Sequence, residues 1–165
     1  MGVIALWEEF IFRSLLIRNI AEGLTARNRS RATALASAVV VSGLVFGLPH
    51  AVGAAAAFTN PVFGALQALA SVSYFVVAYA VTGSLALPVG IHFASNAWAT
   101  LIIGRAGSPY PTLVAAQRAV SGPIDAVVLL TPAVLLLLLV LWWARRTDRS
   151  EWTLDDAYGR IVGTS

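Results

Sequence analysis

The chain has 165 residues, of which 58% are apolar and 12% charged, and its net charge is +3, with every basic residue an arginine. Soluble domains are nearer half apolar and about a quarter charged, so this composition excludes an ordinary soluble globule. The arginines are spread through loops and tail, which excludes a nucleic-acid-binding run, and the lack of cysteine excludes disulfides and thiolate metal sites.

Five apolar segments follow in chain order, each near the length of about 20 residues that a spanning helix needs. The first covers residues 3–20, yet carries Glu8, Glu9 and Arg13 within it. Those charges and the missing basic start set it apart from a signal peptide. An arginine-rich connection holds Arg27, Arg29 and Arg31. The second segment covers residues 32–50 and extends toward Phe58. Its Gly43 and Gly47 form a small-residue row that lets another helix approach closely. The third begins after Asn60-Pro61 and ends at Thr82-Gly83. The fourth runs over residues 88–104, and a loop of mixed polarity with Arg105 and Arg118 follows it.

The fifth segment, residues 123–144, ends in Trp142-Trp143 followed by Arg145-Arg146, an aromatic belt before a basic flank. Apolar runs this long with little alternation read as helices. The expectation is an all-α, polytopic transmembrane bundle of about five spanning helices over residues 1–144. Residues 145–165 form a short polar tail. With five spans the 27–31 connection and the tail share a side, and their arginine excess makes that side cytoplasmic.

Charged and polar groups inside such segments carry the functional signal, because a buried charge costs at least about 2.5–3.5 kcal/mol on insertion scales. Glu9 and Arg13 are four apart and share a helix face. Glu8 points about 100° away from Glu9, which leaves it free to accept or donate a proton. His50, in FGLPH, shares a face with Phe46. His92 and Asn96, in HFASN, share another, and two such donors can serve one developing oxyanion. Each of these also has a plain structural reading: acids near a helix start, a hydrogen-bonded packing histidine, polar links between helices. Together, the chain's two histidines and the acidic pair of its apolar segments, on three helices, point to one site.

The ordered set Glu8-Glu9-Phe10-Ile11-Phe12-Arg13, Phe46-Gly47-Leu48-Pro49-His50 and His92-Phe93-Ala94-Ser95-Asn96 resembles the CAAX protease and bacteriocin-processing (CPBP, or Abi) family of intramembrane proteases. The approach TGSLALPVGIH is similar too, and the resemblance covers residues 6–103. The sequence departs from the family at Ser14, where glycine is usual, and members usually carry further membrane helices ahead of this one. The resemblance implies hydrolysis of peptide bonds in or beside a prokaryotic cell membrane, on prenylated CAAX proteins or bacteriocin-like leader peptides. It implies that Glu8 and His50 activate water, that Glu9 and Arg13 hold Glu8, and that His92 and Asn96 stabilise the oxyanion.

The family has been described both as metalloproteases and as metal-free, glutamate-dependent enzymes. Glu8, His50 and His92 could ligate Zn2+, but HExxH is absent and Asn is a poor zinc ligand, so the reading without cofactor is preferred. The expected partners are membrane lipid and a peptide or prenylated protein substrate. The competing class is a non-enzymatic immunity or binding protein of the same fold. A transporter is disfavoured by the lack of internal repeats. Five straight spans leave Glu8 and His92 able to meet only near mid-depth or through a broken or tilted helix.

Overall fold

A computed structural model describes residues 1–57, 61–102, 123–147 and 153–163. Every element among them is helical, with no strand, so the all-α expectation holds. The mixed loop after the fourth segment, with Arg105 and Arg118, lies outside the described residues.

The first segment is one continuous helical rod in three parts. Helix α1 (Gly2–Glu9) passes into a π-helical stretch (Phe10–Ile17) and then into α2 (Arg18–Thr25). A π-turn closes its hydrogen bonds one residue further along than an α-turn, and such stretches cluster at functional sites. The wider winding gathers positions four and five apart, here Glu9 and Glu8 relative to Arg13, toward one face. Asn28, with φ of 60°, turns the chain into α3 (Arg31–Ala57). Pro49 lies inside α3 and removes one backbone donor, one residue before His50.

Helix α4 (Pro61–Thr82) packs along α3. The Gly43–Gly47 row makes that contact: a Cβ on Gly43 would meet Val72 at 3.5 Å, and one on Gly47 would meet Leu69 at 2.9 Å. Helix α5 (Ala86–Ala97) leaves α4 through Gly83, at φ 64°, and continues into a second π-helical stretch (Trp98–Ile102). Helix α6 (Pro123–Arg146) lies against α4, with Ala133 packed beside Tyr74 and Phe75.

Within the tail, α7 (Leu154–Val162) is a docked helix and not a free polar extension. Its Ala157, Tyr158, Ile161 and Val162 are buried in one cluster with Ile17, Leu35 and Tyr79. The Asp156 N–H donates to Thr153 Oγ1 at 3.2 Å and the Thr153 N–H to Asp156 Oδ2 at 2.8 Å, closing a capping box, and the Thr153 hydroxyl also donates to Oδ2 at 2.8 Å. The two bonds it accepts from Thr153, the backbone one first, hold the Asp156 carboxyl below the usual carboxylate pKa. Arg31 lies over the Tyr158 ring at 5.7 Å, so the tail helix and the 27–31 turn occupy one end of the molecule.

The outer surface is apolar. Val3 is 81% exposed and Val52 72%, and Leu44, Leu48, Leu138 and Trp142 are all more than a third exposed. Water tolerates no apolar surface this continuous, and hydrocarbon does. Among the described residues one helix, over Arg31–Val52, has both the length and the apolarity to cross a bilayer, and Val72–Thr82 is a shorter apolar stretch.

Candidate active site

The polar residues of three segments meet inside the bundle. Glu8 and Glu9 end α1, Arg13 sits in the π-helical stretch, His50 on α3, and His92 and Asn96 on α5. His92 Nε2 lies 3.4 Å from Glu8 Oε2, and His50 Nε2 lies 3.9 Å from Glu8 Oε1. The two imidazoles therefore face different oxygens of one carboxylate.

Glu9 is fully buried, and so is Arg13, whose Nε is 3.0 Å from Glu9 Oε2. The pair is ionic in character, for no Arg13 nitrogen makes an aligned hydrogen bond among the described residues. Aromatic faces take the place of acceptors: the guanidinium carbon is 4.3 Å from the Phe46 ring centre and 5.3 Å from that of Phe75. Such contacts are worth about 2 kcal/mol when desolvated.

The structure gives Glu9 a different partner from the one the family resemblance implied. Its Oε1 meets His92 Nδ1 at 2.8 Å, so Glu9 and Arg13 hold His92, and Glu8 lies between the two imidazoles without an aligned hydrogen bond to either. Paired with Arg13, Glu9 presents acceptor oxygens, which assigns the Nδ1 hydrogen to His92 as donor. The His92 ring also stacks on Phe75, 4.8 Å between centres, and meets the edge of Phe46 at 6.1 Å.

On α3, His50 Nδ1 donates to the Phe46 carbonyl at 2.8 Å, within its own helix. A carbonyl oxygen can only accept, so that bond places a hydrogen on Nδ1, and Nε2 faces Glu8. The His50 ring lies 4.2 Å from the Phe46 ring. Phe46 thus touches Phe12, Arg13, His50 and His92. Asn96 is half-buried one turn beyond His92, and its side chain makes no hydrogen bond among the described residues.

Two supports escape sequence reasoning. Phe75 carries no signal within an apolar run. Ser42, buried on α3, donates to the Phe12 carbonyl at 2.6 Å and pins the π-helical stretch to α3.

The site has an open side and a closed side. The Glu8 side chain is 23% exposed and that of His50 47%, whereas Glu9 is sealed. His92 stacks on Phe75, two turns inside the end of α4, so the meeting of Glu8 with His92 falls within the bundle. Among the described residues no three of His, Asp or Glu are grouped to hold a metal ion.

The sequence model of the Type II CAAX prenyl endopeptidase Rce1-like family matches residues 1–98. No curated protein and no solved structure matches the chain.

Proposed function

Because the chain belongs to the Type II CAAX prenyl endopeptidase Rce1-like family, a membrane-embedded family of proteases, we propose that it is an endopeptidase that uses a glutamate-activated water, without metal, on a membrane-associated peptide. The observation that carries this reading is the convergence of both imidazoles on Glu8, with the Arg13–Glu9 pair behind His92.

Water bridges Glu8 Oε1 and His50 Nε2, which are too far apart for a direct hydrogen bond and close enough to share one water. Glu8 takes a proton from that water as the oxygen attacks the peptide carbonyl. The carbonyl oxygen becomes an oxyanion, and the C–N bond then breaks as Glu8 returns the proton to the leaving amine. His92 faces carboxylate oxygens at both ring nitrogens; carrying a hydrogen on each, it donates Nδ1–H to Glu9 and Nε2–H to the developing oxyanion. The Asn96 amide, one turn on, supplies a second donor. A preorganised donor acts only where charge develops, so it lowers the barrier without tightening substrate binding.

The substrate class follows from the family and the apolar exterior: a prenylated CAAX peptide, with a bacteriocin-like leader as the second to try. Purified protein in detergent is expected to cleave one of them, and His92→Ala to lower kcat by about 100- to 1,000-fold. A parent protein that binds either peptide but cleaves neither would instead support a non-enzymatic binding protein of this fold.

The proposed membrane arrangement is five spans, with the 27–31 turn and α7 in the cytoplasm. The Arg31–Tyr158 contact and the arginine excess at that end support it. Reporter fusions at Asn28 and after Ser165 are expected to give the same cytoplasmic signal, and a tail that reports outside would reverse the arrangement.

A further inference from the structure

Helix α7 lies beyond the stretch that the family match covers, and the chemistry above makes no use of it. It is nevertheless a well-specified element. The Thr153–Asp156 capping box starts it, Gly163 at φ 80° ends it, and its apolar face is buried. Besides α2, α3 and α4, its contacts reach the turn that launches α5.

Arg160 lies directly on Gly83: a Cβ there would come 2.9 Å from Arg160 Cβ and 3.0 Å from its carbonyl oxygen. Arg160 Nε donates to the Ala80 carbonyl at 3.3 Å, one of the last four carbonyls of α4, which have no partner within the helix. Leu85, the residue before α5, packs against the same cluster as Tyr158 and Ile161. Ser84 N–H donates to Thr82 Oγ1 at 3.2 Å and Ala86 N–H to Ser84 Oγ at 3.2 Å. The turn is thus held internally by short side chains and externally by α7.

We infer that α7 is a positioning element for the active site: by clamping the Gly83 turn it sets the depth and rotation of α5, and so the placement of His92 against Glu8 and Glu9. His92 follows Ala86, the first residue of α5, by six residues, about 9 Å along the helix, and rigid helices transmit displacements over that distance. The bonds at stake are His92 Nδ1 to Glu9 at 2.8 Å and Nε2 to Glu8 at 3.4 Å. Misplacement of a reacting group by 1 Å can cost about 100-fold in rate.

The chain has no cysteine, so introduced cysteines give clean spin-label positions in this chain. Ala36→Cys on α3 and Ala94→Cys on α5, both exposed, report the placement of α5. Ala36→Cys with Leu15→Cys is a control within the rest of the bundle. Arg160→Ala and Gly83→Ala attack the contact from opposite sides.

Both variants are expected to shift or broaden the 36–94 distance and to leave the 36–15 distance unchanged. The activity arm rests on the proposed function: kcat is expected to fall about 10- to 100-fold with KM within about twofold. An unchanged 36–94 distance in both variants overturns the inference. So does broadening of both pairs, which marks general loosening, or a shifted α5 with undiminished kcat. If the parent protein shows no turnover, the protease reading fails, while a selective 36–94 shift still upholds the positioning role.

Discussion

Glu8→Gln is expected to remove turnover, by about 100- to 10,000-fold, while the protein stays folded and extractable in the same yield. The amide keeps the size and shape of the carboxylate and cannot take the proton from water. Glu8 is 23% exposed and does not form the buried ion pair, so its neutralisation leaves no charge stranded. A strong chelator, added beside this variant, is expected to leave the parent's rate unchanged. Loss on chelation with recovery on adding Zn2+ would replace the metal-free mechanism. Full turnover in Glu8→Gln would remove Glu8 as the base.

Much of this site is legible from spacing alone, and the reason is the solvent. In hydrocarbon a charge without a partner is so costly that Glu8, Glu9, Arg13, His50 and His92 stand out from their surroundings. Four-residue spacing then brings Glu9 onto Arg13 and His50 onto Phe46. What spacing does not carry is the partner across helices. The link from Glu9 to His92 spans residues that are 83 apart, and it depends on how the first helix is rotated.

That rotation comes from the π-helical stretch over Phe10–Ile17, for which the residues give no local cue, since no proline or glycine marks it. Its anchor, Ser42 on the Phe12 carbonyl, is a single small polar residue in an apolar run. The tail was legible as polar but not as docked. Ala157, Tyr158, Ile161 and Val162 form an apolar face within nine residues, too short to separate from a solvated segment by composition. Phe75 is silent for the opposite reason, as one aromatic among many.

The Arg13–Glu9 pair yields the largest expected change in stability. Both side chains are fully buried, and removing one partner of such a pair leaves an uncompensated charge, at a cost of about 3–5 kcal/mol. Glu9→Gln and Arg13→Met are each expected to lower the midpoint of thermal unfolding in detergent and to reduce yield. The Arg13 change also loses the contacts with Phe46 and Phe75. The double variant Glu9→Gln, Arg13→Met is expected to regain much of the lost stability, since neither charge remains, and the shortfall from additivity measures the pair. Turnover is not expected to return with it, because a Gln amide in place of the carboxylate binds His92 Nδ1 less strongly and leaves the ring free to turn. Glu9→Gln as stable as the parent would show that Arg13 has another counter-charge. Full turnover in the double variant would show that the hold of Glu9 on His92 has no part in the reaction.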